Sequence, residues 1–150
     1  MKVVIQRCKN SSVLINKEIL REIDLGLVVL SCFTEGDTIE DINYIVRKIV
    51  NLRIFDDDAG IMNKSIKDVG GSILSISQFT LYASVKKGNR PSYMKALNGP
   101  DAKELYLLFN KCLSNEVSVK TGEFGADMLV NISNDGPITI IIDSKEKSNE

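Results

Sequence analysis

The 150-residue sequence contains no histidine. That absence removes Ser–His–Asp chemistry, Cys–His nucleophile pairs and histidine-ligated zinc together. Its three cysteines, Cys8, Cys32 and Cys112, are odd in number, far apart and set among apolar neighbours. Without a CxxC pair, reduced core thiols are expected, not disulfides or a metal centre. No apolar run approaches a membrane span: the longest, Leu27–Phe33, is broken by Ser31. Met1–Arg7 goes straight into strand-like alternation with no signal-peptide pattern ahead of it. A soluble, cytoplasmic protein with no metal and no cofactor is the expectation. The net charge of −1 is wrong for a protein that coats nucleic acid by charge alone.

What is present suffices for one domain. At this length a 43% apolar chain can bury a real core. Val3, Ile5 and Val13–Ile15 alternate as β-strands do, and Leu25–Phe33 reads as a largely buried strand. Asp37-Thr38-Ile39-Glu40 reads as a helix start capped by Asp37. Ile39, Ile42, Ile45/Val46 and Ile49/Val50 then recur on one helical face. Asp56–Gly60 reads as a turn, and Gly70-Gly71 precedes a strand-like run, Ser72–Tyr82. A second helix runs from Pro100 to about Leu113, with Leu105, Leu108, Phe109 and Cys112 on its apolar side. Met128–Ser133 and Ile138–Asp143 are two strands flanking Asn134–Pro137, which reads as a turn. The tail from Ser144 to Glu150 is polar and expected to be disordered. The fold expected is α+β, strand-rich, with two main helices packed on a sheet or barrel.

Three segments hold residues with chemical potential. Ser77-Gln78-Phe79-Thr80-Leu81 closes an apolar strand and can present a hydroxyl, an amide and backbone N–H groups. Alternation would put Ser75, Ser77, Phe79 and Leu81 on one face and Ile76, Gln78 and Thr80 on the other. Gly122–Met128 offers two glycines for close backbone approach, with Phe124 or Met128 suited to a flat ring. Asn134–Pro137 is, on spacing alone, a tight connection. Each segment taken singly reads better as a polar strand end or a turn than as a site. Between Ser84 and Ala96 stand Lys86, Lys87, Arg90 and Lys95 with no acid, a solvated loop or an anion-facing one.

In combination and in this order, the motifs resemble the D-aminoacyl-tRNA deacylase (D-Tyr-tRNA deacylase) family. Ser-Gln-Phe-Thr-Leu at 77–81, Lys-Gly-Asn-Arg-Pro-Ser-Tyr at 87–93, Gly-x-Phe-Gly-Ala-Asp-Met at 122–128 and Asn-Asp-Gly-Pro-Ile-Thr at 134–139 carry the resemblance. Val-Ile-Gln-Arg at 4–7 and Leu-Arg-Ile-Phe at 52–55 extend it over residues 1–143. Asn16-Lys17 and Leu30-Ser31-Cys32-Phe33 depart from the family's usual pattern, outside the motifs.

The resemblance implies a homodimer of β-barrel-like subunits with two interfacial active sites and aminoacylated tRNA as partner. Ser77, Gln78, Phe79 and Thr80 would form the catalytic segment, with backbone N–H groups near Phe79 and Thr80 facing the oxyanion. Gly136 and Pro137 of the other subunit, joined by a cis bond, would select for D-amino acids. Phe124, Gly125 and Met128 would meet the terminal adenosine, and Lys86, Lys87 and Arg90 the acceptor-stem phosphates. Arg7 would support the Gly-Pro loop or the interface. The activity implied is hydrolysis of D-aminoacyl-tRNA, and of glycine mischarged on tRNA-Ala, with Thr80 positioning instead of attacking. Two alternatives stay open: a relaxed relative, with a trans bond, that clears mischarged L-alanine, and a non-catalytic tRNA-binding module.

Overall fold

The computed structural model describes residues 1–147. Alternation along β1 (Lys2–Cys8) buries Val3 and Ile5, and β2 (Ser11–Ile15) buries Val13 and Ile15. The turn into β3 (Ile19–Ile23) places Asn16 and Lys17 at φ 50° and 60°. Two non-glycine residues thus take the left-handed conformation that glycine would hold more cheaply. β4 (Gly26–Cys32) is buried along nearly its whole length because both of its faces are covered.

Helix α1 (Ile39–Asn51) follows, with one correction to the sequence reading: Thr38, not Asp37, is its cap. The Thr38 hydroxyl accepts from the Glu40 N–H, and Asp41 accepts from the Thr38 N–H, closing a capping box. Asp37 instead accepts hydrogen bonds from the Met1 ammonium and the Thr34 N–H, and pairs with Lys145 at 2.9 Å. Ile42, Ile45, Val46, Ile49 and Val50 are buried, while Ile39, on the first turn, stays 43% exposed.

A short hairpin, β5 (Phe55–Asp56) and β6 (Met62–Lys64), leads to β7 (Ser72–Ser77). The expected strand Ser72–Tyr82 stops at Ser77, and Phe79–Tyr82 coils into a 3-10 turn. The chain reaches α2 (Gly99–Ser114) with Pro100 in its first turn, as expected. Its buried stripe is Ala102, Tyr106, Phe109, Asn110 and Leu113, so Leu105, Leu108 and Cys112 flank the apolar side instead of centring it. β8 (Ser118–Thr121), β9 (Met128–Asn131) and β10 (Asn134–Asp143) complete the chain.

β10, β1, β4, β7 and β8 form one mixed sheet in that order, and β3, β2 and β9 a second, antiparallel one. One face of the large sheet packs Val3, Ile5, Leu27, Val29 and Ile73 on α1 and α2. Its other face meets the small sheet through Val28, Leu74 and Ile76 against Val13, Ile15 and Ile23. The strand layer therefore wraps round a second core without hydrogen bonds closing a full ring. At Gly26 a Cβ would overlap the Ser72 carbonyl oxygen of β7, so the parallel β4–β7 pairing requires glycine there.

Two sequence expectations change at the C-terminal end. Asn134–Pro137 is not a turn between strands but the beginning of β10, opposite β1. The tail begins with an ordered 3-10 turn, Ser144–Glu146, in which Ser144 is buried and accepts from the Met1 ammonium. The rest of the tail expected to be disordered, 148–150, lies outside the described residues.

Asp41, buried at the start of α1, would have its pKa raised by desolvation. Hydrogen bonds from Ser144, the Thr38 N–H and Lys145 outweigh that and hold its carboxyl below the usual range. A folded-state pKa below the unfolded one adds stability that is complete above about pH 4 and is lost as pH falls below it. In denaturant titrations, Asp41→Asn should be less stable at pH 7 by about 1–3 kcal/mol. It should also lose less stability than the parent between pH 5 and pH 3.

Candidate functional site

The change from strand to 3-10 turn after Ser77 decides what the Ser77–Thr80 segment can present. The Gln78 N–H extends the β4 pairing by donating to the Ser31 carbonyl at 2.8 Å. The next two N–H groups, of Phe79 and Thr80, donate to no acceptor among the described residues, as expected for the first residues of a helical turn. Cys32 holds the turn from below, its Sγ 3.5 Å from the Phe79 carbonyl. The Gln78 side-chain amide donates to the Thr80 hydroxyl, tying the segment to itself.

This segment borders an open cleft of about 460 Å³. Ser77, Gln78 and Phe79 lie in one wall, while Thr80, bonded to the Gln78 amide, is outside the lining. The facing wall is the loop between β8 and β9, with Phe124, Gly125 and Met128. Gly125 sits at φ 77°, and Phe124 packs on the buried Tyr106 ring at 6.0 Å between centroids. Two motifs far apart in sequence thus meet across one space. The volume falls in the usual range for small-ligand sites.

Some of the cleft had no signal in the sequence. Leu97, Asn98, Gly99 and Ala102, at the N-terminus of α2, form its third side, and Cys32 and Phe33 contribute from the end of β4. The Pro100 helix start marked where α2 begins but not what it faces.

A buried polar triad positions the walls. The Tyr106 hydroxyl donates to the Ser75 carbonyl at 2.9 Å, and the Ser75 hydroxyl donates to Asn110 Oδ1 at 2.6 Å. These bonds fix α2 against β7 two residues before Ser77.

Gly136 and Pro137 are exposed and outside this cleft. Their peptide bond is cis. Along β10 the register jumps from Asn134 opposite Cys8 to Thr139 opposite Gln6, so Asp135–Ile138 bulge out over Arg7 alone. Pro137 has no N–H for the ladder, and Gly136 takes φ 120°, which a side chain would strain. Asn134 closes the neck: its amide donates to the Thr139 hydroxyl at 3.0 Å and its oxygen accepts from the Ile138 N–H. Arg7, 8% exposed, lies beneath, donating to the Ile54 carbonyl at 2.8 Å. Its Nε is 3.1 Å from Asp135, an ion pair by distance whose N–H is not aimed for a hydrogen bond.

Lys86, Lys87 and Arg90 are exposed on the loop between the 3-10 turn and α2, and no acid pairs with them among the described residues. The Ser84–Ser92 bridge closes this loop, and the Leu97 N–H anchors its end to the Phe33 carbonyl.

The described residues hold no cluster of three or more metal-ligating side chains, and no described helix is long and apolar enough to cross a membrane. The cysteines are unpaired.

Comparison with known proteins gives one consistent match. The model of a family described as D-Tyr-tRNA(Tyr) deacylase matches residues 4–143. The chain is 53% identical over 148 residues to a D-aminoacyl-tRNA deacylase of Clostridium novyi, covering 98% of this chain and 99% of that one. It is 54% identical over 147 residues to the protein of the same name from Clostridium tetani, covering 97% and 99%. Among solved structures it is similar to a c-Myc DNA unwinding element binding protein, with 39% identity and a TM-score of 0.89 over 95% of this chain and 98% of the other.

Burial pushes the Cys32 thiol up to about 11 and raises that of Cys8 as well, so neither supplies thiolate at neutral pH. Cys112 is only half-buried. Iodoacetamide at pH 8 on the native protein should therefore label Cys112 well before Cys8 or Cys32, read by peptide mass spectrometry.

Proposed function

The chain belongs to the D-Tyr-tRNA(Tyr) deacylase family, and from that premise we propose that it hydrolyses the ester joining a D-amino acid to the terminal adenosine of tRNA. The observation that carries the reading is the convergence of Ser77, Gln78 and Phe79 with Phe124, Gly125 and Met128 on one cleft. In this reading Phe124 and Met128 take the flat face of the adenine, and Gly125 lets the backbone approach it. The ester then lies along the Ser77–Phe79 wall.

The ester is activated, so holding it beside a water and stabilising the oxyanion is enough chemistry for a chain without histidine. The unpaired N–H groups of Phe79 and Thr80 are the oxyanion donors. Thr80 acts by orienting Gln78, which agrees with its hydroxyl lying outside the cleft lining. The 2′-hydroxyl of the adenosine can serve as the proton-handling group that the side chains lack.

Selection for D-amino acids is assigned to Gly136 and Pro137 of a second subunit. Both are exposed on a bulge held out from β10 and absent from their own chain's cleft, as expected of groups that act in another's. A homodimer is supported further by Ile141 and Val4, which pair side by side across β10 and β1 on the face away from the helices. Ile141 is 66% exposed there. The carbonyls of the Gly-Pro segment would wall the side of the substrate Cα where an L side chain projects. D side chains point outward, and glycine, having none, passes, including glycine mischarged on tRNA-Ala. The substrate is made and used in the cytoplasm, where we set the enzyme.

Deacylation of D-Tyr-tRNA, L-Tyr-tRNA and Gly-tRNA side by side tests this. D-Tyr-tRNA should be cleaved, Gly-tRNA cleaved in part and L-Tyr-tRNA spared. Equal cleavage of the L-form would remove the chiral reading, and affinity for tRNA without release of any amino acid would make the protein a binding module. If Lys86, Lys87 and Arg90 meet phosphates, kcat/KM should fall as salt rises. Each Gln substitution there should then reduce the log–log slope by about 1.

A further inference from the structure

Phe79 has two relations that a cleft-wall residue does not need. It is 50% exposed, and its ring meets that of Tyr93 edge to face, with centroids 4.9 Å apart and planes at 72°. Tyr93 is itself 36% exposed and is followed by Met94, 92% exposed. Large apolar side chains in open contact at a site's mouth are poorly explained by the core, which both rings lie outside. In an edge-to-face pair the ring that gives its edge keeps both faces free for a third ring.

The segment holding Tyr93 is fixed, not loose. Ser84 and Ser92 exchange backbone hydrogen bonds at 2.8 and 2.9 Å, and the Ala96 N–H donates to the Tyr93 carbonyl at 3.0 Å. The Thr34 hydroxyl donates to the Lys95 carbonyl at 2.6 Å. The same short loop carries Lys86, Lys87, Arg90 and Lys95, none paired with an acid among the described residues. An aromatic pair beside unpaired cations is the combination that binds single-stranded nucleic acid: stacking for a base and charge for the phosphates on either side. A docked peptide would find the rings but no use for four cations, unless it were acidic.

We infer that Phe79 and Tyr93 form a stacking platform at the cleft mouth for the nucleotide that precedes the terminal adenosine of the tRNA, with the loop cations holding its flanking phosphates. The inference rests on the proposed function for the identity of the RNA and adds to it a subsite at the mouth of the adenosine cleft, shared between its Phe79 wall and Tyr93. The platform makes recognition depend on the single-stranded 3′ end and not on the amino acid. That suits an enzyme accepting many D-residues, because the binding energy comes from a part of the substrate common to all of them.

The experiment compares D-Tyr-tRNA with D-tyrosyl-adenosine, which lacks the preceding nucleotide, for the parent, Tyr93→Phe and Tyr93→Ala. The ratio of kcat/KM for the tRNA to that for the adenosine ester should fall roughly tenfold in Tyr93→Ala. It should fall chiefly through KM and be restored in Tyr93→Phe. Equal losses on both substrates would mean that Tyr93 only holds Phe79 in place, and no loss on either would leave the rings without a ligand; both overturn the platform. A Tyr93→Ala protein that sediments as a smaller species than the parent would make the rings a subunit contact and overturn it too. A second readout does not need catalysis: a short RNA ending in adenosine, with 2-aminopurine next to last. Its fluorescence should be quenched by the parent and not by Tyr93→Ala. If the parent hydrolyses neither ester, the proposed function fails while the quenching still decides the platform.

Discussion

Arg7 holds its guanidinium at 8% exposure, a position tolerable only because acceptors surround it. The Ile54 carbonyl and Asp56 at 3.5 Å come from one stretch of chain and Asp135 at 3.1 Å from another, so one guanidinium ties β1 to the α1–β5 connection and to the β10 bulge. The constraint runs both ways. Removing the acceptors would strand a buried charge, and removing the arginine would leave Asp135 and the Ile54 carbonyl without their shared partner. Asn134 and Thr139 close the bulge from the other side, so Gly136 and Pro137 are presented from a base held at two points. The proposed exclusion of one enantiomer by contact would need such a base, since a wall that yields by an ångström discriminates nothing.

A second constraint holds the cleft open to one shape. Ser75 lies fully buried in β7 and is bonded through both its carbonyl and its hydroxyl to α2. A buried polar cluster costs stability unless it is satisfied, and satisfied it admits only one arrangement of helix and strand. Here that arrangement brings the start of α2 beside Ser77 and sets Tyr106 behind Phe124. The same tyrosine therefore orders two of the three sides of the cleft.

How far the sequence told this depends on whether the deciding interaction was local. The buried face of α1 was legible because its isoleucines and valines recur at helical spacing, and the α2 start because Pro100 suits a first turn. The cap lies one residue beyond the one the sequence favours: Asp37 and Thr38 are both good caps, and the Met1 ammonium and Lys145 claim Asp37 from the two ends of the chain. Asn134–Pro137 has the composition of a turn and of a bulge alike. Only its pairing with β1, more than a hundred residues away, separates the two. Ser72–Tyr82 reads as one strand because nothing in Phe79–Tyr82 opposes extension; Cys32 beneath and Tyr93 beside Phe79 favour the coil instead. Nothing in the motifs' spacing marks Thr80 as falling outside the lining that Ser77, Gln78 and Phe79 share.

That last difference bears on how a site without histidine can work. Side-chain pockets separate substrates differing by a methylene by only about 1–3 kcal/mol, and mirror images differ by no methylene at all. A site that sorts enantiomers is better made of backbone, whose atoms cannot rotate to accommodate the wrong hand. The parts assembled here fit that need: N–H groups freed where a strand becomes a 3-10 turn, a glycine at φ 77° in the facing wall, and a Gly-Pro segment lifted from β10. The side chains of the motif then take supporting work. Gln78 and Thr80 hold each other, Asn134 and Thr139 hold the bulge, and Arg7 holds its base. The lack of histidine agrees with the proposed division, in which the substrate's own labile ester and neighbouring hydroxyl would supply the reactivity and the protein a fixed shape.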